Sequence, residues 1–231
     1  MNDNTEETIK SLLEFENIEV HEAGEINFLS RTDYTCPLHG GLGIWKSGSS
    51  QDFDCTTAYP AKNTKGQYFM VTAGHCSDPS VGWAQGGEYI GNMSTVHWQF
   101  GDEVDAGGIY IGDSSSAATS EIYGSSYNLT NLEKWENEKL GQMVCKSGGN
   151  SGITCGTLQD NRVSFYYEGM LFKNFRGTDV YARNQDSGGT VYRGEALLGT
   201  VSAEFGEYSM IYSHARNAYE DIGLEPYFTF N

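Results

Sequence analysis

The chain has 231 residues, and 31 acidic against 14 basic side chains leave it a formal net charge of −17. A surface of that sign repels nucleic acid and anionic membranes, so neither is expected as a partner. It serves solubility or, in a sharper reading, steers basic substrates toward the protein.

In chain order, residues 1–35 stand apart. Ile9, Leu12, Leu13 and Phe15 recur at helical spacing among acidic residues. Taken alone, the segment reads as a loosely docked extension. Met1 opens onto Asn2-Asp3-Asn4-Thr5-Glu6-Glu7, without the basic region or apolar core of a signal peptide, which suggests a truncated or processed chain. From residue 36 the texture changes to short strands. With 29 glycines, 4 prolines and 13% aromatics, the composition suits strands joined by small polar turns. Strands are expected at 42–45, 67–72, 108–111 and 163–167. Residues 191–192 and 196–201 form a hairpin turned at Arg193-Gly194-Glu195. The polar, small-residue stretch 114–126 is expected to carry a connection between two halves. Residues 214–222 form a helix that Gly223 stops. The domains expected are thus 1–35 and 36–231, the latter split near 114–130. No stretch is apolar and long enough to span a bilayer as a helix.

Three positions carry chemistry. Val71-Thr72-Ala73-Gly74-His75-Cys76 places a histidine after an apolar strand. Asp105-Ala106-Gly107-Gly108-Ile109 places a carboxylate at the edge of another. Gln185-Asp186-Ser187-Gly188-Gly189 places a serine in a glycine-flanked turn. A serine hydroxyl is a weak nucleophile until a base takes its proton, and the base works best when a buried carboxylate fixes its tautomer. His75, Asp105 and Ser187 supply those parts. Asp102 is a rival carboxylate three residues before Asp105. Ser151, in Gly149-Asn150-Ser151-Gly152, is a rival serine. His21, His39, His97 and His214 are scattered without metal-ligand spacing, so no metal or cofactor is expected.

These residues, in this order, resemble those of the chymotrypsin-fold serine endopeptidases, in particular the bacterial secreted branch typified by streptogrisins and alpha-lytic protease. The stretches 141–156 (a Cys-loop-Cys hairpin), 198–202 and 213–224 agree with it, and the resemblance covers residues 36–228. It implies an all-β fold of two antiparallel six-stranded barrels, with the active site in the cleft between them and a closing C-terminal helix. It also implies a secreted, monomeric enzyme that cleaves protein or peptide substrates through an acyl-enzyme, with disulfides Cys55–Cys76 and Cys145–Cys155, and offers a second reading of residues 1–35 as the remnant of an inhibitory pro-segment. The larger loop so closed, of about 20 residues, is worth about 3 kcal/mol on the chain-entropy model. Cys36 is left over, as a free thiol or as the partner of a segment outside this chain. Two sequons, at Asn92 and Asn128, add a weak secretory cue.

The resemblance assigns His75 as general base, Asp105 as its orienter and Ser187 as nucleophile. Choosing Ser151 would leave residues 185–189 without a role. The oxyanion hole is expected from the backbone N–H groups of Ser187 and Gln185. Here the chain departs from its relatives, which carry glycine at the Gln185 position. Glycine tolerates backbone angles that a Cβ resists, so this departure supports an alternative in which the protein is a catalytically weak homologue acting as a binder or effector. Ser202, Ala203 and Glu204 are expected to bond the substrate backbone as an added strand. Tyr181, Met210 and Tyr212 are candidate pocket walls. Asp186 is expected to be buried and paired, with Lys146 as its cation.

Overall fold

The computed structural model describes residues 30–49, 53–76 and 78–229. The helical pattern expected at 8–15 and His21 lie outside them. The strands of the first half are β1 (Leu38–Gly40), β2 (Gly43–Lys46), β3 (Cys55–Thr56), β4 (Pro60–Lys62), β5 (Tyr68–Thr72), β6 (Gly82–Gln85), β7 (Glu88–Gly101) and β8 (Val104–Gly112). Those that follow are β9 (Ala118–Ile122), β10 (Asn131–Leu132), β11 (Met143–Gly148), β12 (Gly152–Tyr167), β13 (Met170–Thr178), β14 (Thr190–Arg193), β15 (Ala196–Phe205) and β16 (Tyr208–His214). Helix α1 (Ala215–Ile222) and β17 (Glu225–Pro226) close the chain.

Hydrogen-bond pairing builds two barrels. In the first, the order is β4-β5-β8-β7-β6-β2-β3. β3 and β4 are the two ends of one run, so the sheet returns to its own start. Thr57 N–H to Leu42 O (2.9 Å) and Ala58 N–H to Val71 O (2.7 Å) carry the closure between them. In the second, β15 pairs β14 on one edge and β16 on the other, which closes the ring β15-β14-β11-β12-β13-β16. Closure removes free edges, which is how an antiparallel sheet avoids templating other chains. The expected pair of antiparallel barrels and the C-terminal helix are therefore present; the second ring has six strands, and the first has seven because the run 55–62 is broken into β3 and β4. β10 and β17 are short additions on β15 and β4.

Local sequence explains the elements that matter. Tyr68-Phe69-Met70-Val71-Thr72 is buried along nearly its whole length, because one face fills the first barrel and the other meets the seam between barrels. That seam has its own apolar cluster, which includes Tyr59, Val71 and Val104 of the first barrel with Leu197 of the second and Ile222 of α1. At about 2 kcal/mol per fully buried large side chain, this cluster holds the halves in one docking. Gly108 permits it: a Cβ there would lie 2.4 Å from Leu224 Cδ1. α1 begins where His214 Nδ1 accepts from Arg216 N–H (3.0 Å). It ends at Gly223, whose φ of +68° suits glycine.

The connection expected at 114–126 contains a strand that periodicity did not reveal, β9, which pairs parallel with β1. The compact two-barrel unit begins at Arg31, ahead of the boundary expected at residue 36. Arg31 donates to Gly41 O (2.7 Å), Ser147 Oγ (2.7 Å) and Tyr123 O (3.0 Å), so one guanidinium ties the first barrel, the connection and the second barrel. Both expected disulfides, Cys55–Cys76 and Cys145–Cys155, are formed, and Cys36 is an exposed free cysteine.

Candidate active site

His75 sits in a single 3-10 turn, Gly74–Cys76, at the end of β5. The Cys55–Cys76 bridge anchors that turn to β3. Asp105 is the second residue of β8 and is fully buried. Its Oδ1 accepts the His75 backbone N–H (2.9 Å), and its Oδ2 faces His75 Nδ1 at 2.7 Å. An ionised carboxylate only accepts, so Nδ1 carries the proton and Nε2 is left with its lone pair. Burial disfavours charge on both groups, yet their mutual attraction and hydrogen bonds outweigh it. The His75 pKa is raised and that of Asp105 lowered.

The structure adds two partners that sequence reasoning did not assign. Ser202, expected only along the substrate backbone, donates its hydroxyl to Asp105 Oδ2 at 2.5 Å. Ser213 Oγ accepts the Asp105 backbone N–H at 3.2 Å. Both come from the second barrel, so the carboxylate is gripped across the seam. Asp102, the rival, lies on the surface and pairs with Lys173 at 2.9 Å.

Ser187 sits in the turn before β14. Its backbone carbonyl accepts Thr56 N–H of β3 at 2.8 Å, and its Oγ donates to Ser202 O at 3.3 Å. Ser202 thus touches both Ser187 and Asp105. Among the described residues no direct hydrogen bond joins Ser187 to His75; such bonds are often loose before substrate arrives. The turn needs glycine after the serine: Gly188 has φ +84°, and a Cβ there would lie 2.4 Å from Thr56 O.

Gln185 also has a left-handed backbone, with φ +75°. It takes the glycine-like conformation despite its Cβ, at a cost of about 1 kcal/mol or more. Among the described residues, neither the Gln185 nor the Ser187 N–H has an acceptor within the protein.

Beneath this turn, Asp186 and Lys146 form a fully buried ion pair, Oδ2 to Nζ 3.1 Å, as their positions suggested. Asp186 also accepts the backbone N–H groups of Asn150 (3.0 Å), Ser151 (2.9 Å) and Arg183 (2.9 Å). Ser151, the rival nucleophile, is engaged here: its Oγ donates to Asp186 and accepts from Lys146. Burial pushes the Asp186 pKa up, but the Ser151 hydrogen bonds and Lys146 more than offset it and hold the carboxyl low. For Lys146 burial outweighs the attraction of Asp186, and its pKa is lowered.

Ala203 and Glu204 are exposed on β15 beyond Ser202, whereas Met210 and Tyr212 are fully buried and Tyr181 is half exposed. On the His75 side, Phe100 lies 5.8 Å from the imidazole, between ring centroids, and packs on Phe172 at 4.9 Å. The hairpin β12–β13 reaches across the seam there, with Asp102 N–H on Leu171 O (2.9 Å) and Lys173 N–H on Asp102 O (2.8 Å). Among the described residues, the one grouping of metal-type side chains is Cys55, His75 and Cys76. Both of its sulfurs are tied up in their mutual disulfide.

No family model matches the chain. Individual relatives do. The chain is 30% identical over 171 residues to glutamyl endopeptidase 2 of Streptomyces griseus, covering 72% of this chain and 85% of that one. It is 31% identical over 189 residues to streptogrisin-D of the same organism, covering 78% of this chain but only 45% of that longer protein. Among solved structures, the Nocardiopsis protease superposes with a TM-score of 0.68 at 26% identity, over 82% of this chain and 98% of that one. The chain belongs to the streptogrisin-type serine proteases of the chymotrypsin fold.

Proposed function

We propose that this enzyme is a secreted endopeptidase that works through an acyl-enzyme, with His75 as base, Asp105 as orienter and Ser187 as nucleophile. The observation that carries this reading is the pair of hydrogen bonds from His75 to buried Asp105, through its backbone N–H and Nδ1, which leaves Nε2 as a proton acceptor. Ser187 Oγ attacks the scissile carbonyl while Nε2 takes its proton. The tetrahedral oxyanion is held by the N–H groups of Ser187 and Gln185. The imidazolium then protonates the departing amine as the C–N bond breaks, leaving an ester on Ser187 that water hydrolyses by the same route reversed. The substrate lies along Ser202, Ala203 and Glu204. Two disulfides suit an oxidising compartment, and among the described residues no helix is long and apolar enough to cross a membrane.

Gln185 is the feature that favours a catalytically weak homologue. Its backbone conformation answers that concern, because the residue already holds the left-handed angles glycine would supply. The test is digestion of an unfolded protein by the purified chain. Internal cleavage is expected, with Ser187→Ala and His75→Ala each losing about a thousandfold or more in rate. Equal cleavage by wild type and Ser187→Ala would overturn the reading.

A further inference from the structure

The strained turn at Gln185 is held from both sides. Its left-handed backbone is set by two peptide planes. The plane that carries its own N–H also carries the Asn184 carbonyl, and Asn150 Nδ2 donates to that oxygen at 2.9 Å. In a trans peptide the C=O and N–H point in opposite directions, so anchoring the Asn184 oxygen aims the Gln185 N–H the other way. The following plane carries the Gln185 carbonyl, and the Thr56 hydroxyl donates to it at 2.7 Å. With one plane anchored on each side of its Cα, both backbone angles of Gln185 are restrained.

Thr56 is placed for this work by the fold. It is fully buried and follows Cys55 of the disulfide that flanks His75. Its own carbonyl accepts the Thr72 hydroxyl at 2.7 Å, and its N–H donates to Ser187 O at 2.8 Å. Its hydroxyl also accepts Gly149 N–H at 2.8 Å, which directs the lone hydroxyl hydrogen to Gln185 O. Every polar group of this residue is committed, and two of them hold the nucleophile's turn. The Gln185 side chain joins the arrangement, its Oε1 lying 3.4 Å from Asn150 Nδ2.

We propose that Thr56 is a positioning residue for the oxyanion hole. Its hydroxyl, with the Asn150 amide on the preceding peptide, locks Gln185 in the backbone that aims its N–H at the substrate oxygen, and so supplies by contact what a glycine supplies by conformational freedom. This rests on the endopeptidase reading above. It gives the first barrel a direct part in transition-state stabilisation, because the donor lies in the second barrel and the Thr56 hydroxyl in the first.

The experiment is a double-mutant cycle between Thr56 and Gln185, read as kcat and KM on a peptide amide, with thermal melting to confirm folding. Thr56→Val is expected to lower kcat roughly 10- to 100-fold with KM nearly unchanged, since the hole acts on the transition state. Thr56→Ser keeps the hydroxyl and restores kcat. In a Gln185→Gly background the same Thr56→Val change costs less than about threefold, because the left-handed backbone no longer needs a clamp. The exposed Asn150→Ala gives a second cycle with the same expected suppression should Thr56→Val fail to fold. An unchanged kcat in Thr56→Val, or an equal loss with glutamine and with glycine at 185, overturns the assignment. A wild-type chain that turns over no substrate overturns the endopeptidase reading with it, whereas an active wild type matched by Thr56→Val overturns this assignment alone.

Discussion

Replacing Lys146 by methionine removes the ammonium under the Ser187 turn while keeping most of the aliphatic volume. Asp186 is then left as a fully buried carboxylate without its cation. Losing one partner of a buried pair typically costs about 3–5 kcal/mol. Three backbone N–H donors and the Ser151 hydroxyl remain on the carboxylate, which places the loss at the lower end, about 3 kcal/mol. That is roughly a hundredfold in the ratio of folded to unfolded protein. Urea unfolding at neutral pH measures it. The pH dependence carries a sign that can be checked. A lowered folded-state pKa at Asp186 contributes stability that is present above the ordinary carboxylate range and disappears as pH falls through the folded value. Without Lys146 that folded value rises, so the acid unfolding midpoint moves to higher pH. Because Asp186 lies between Gln185 and Ser187, kcat is expected to fall about tenfold or more alongside. Stability within about 0.5 kcal/mol of wild type and unchanged turnover would refute the claim that this pair holds the turn.

The geometry of the site carries further expected outcomes. With the His75 pKa raised, the acid limb of the kcat/KM profile should lie above the usual histidine value of about 6.5. The stability gained from the raised His75 pKa should be fully present below that value, as long as Asp105 stays ionised, and fade as pH rises through the folded pKa. Asp105→Asn should lower kcat about ten-thousandfold and draw the acid limb back down; an unmoved limb would mean that another group sets the imidazole. Ser202→Ala removes one hydrogen bond to a charged, buried carboxylate, worth about 1.5–3 kcal/mol, and should show as a loss in urea stability together with an acid limb shifted by the weaker carboxylate. Replacing both Cys55 and Cys76 by alanine should cost about 3 kcal/mol and loosen the His75 turn, read as a lower melting temperature and a lower kcat.

The sequence made the chemistry legible where it is local. β5 and its turn announce His75 through an apolar run followed by small residues and a cysteine. The α1 stop is visible in Gly223, and Lys146 is placed by its position in a disulfide-closed hairpin. What stayed hidden is non-local. Ser202 meets Asp105 from 97 residues away, Ser213 from 108, and Thr56 meets Gln185 from 129, and no periodicity encodes which hydroxyl will face which acceptor. The long hairpin strands escaped for another reason. β7 has 14 residues that are mostly exposed or half-buried, without the in–out alternation that marks a strand over a core. β9 was concealed in a polar stretch because its partner is a three-residue strand distant in sequence.

The proposed mechanism requires Ser187 to be a nucleophile activated by His75. Reaction with a fluorophosphonate probe, followed by peptide mapping, tests it most directly. A single adduct on Ser187 is expected in the wild type and none in His75→Ala at the same pH. An adduct on Ser151, or modification of Ser187 that persists undiminished without His75, would contradict it.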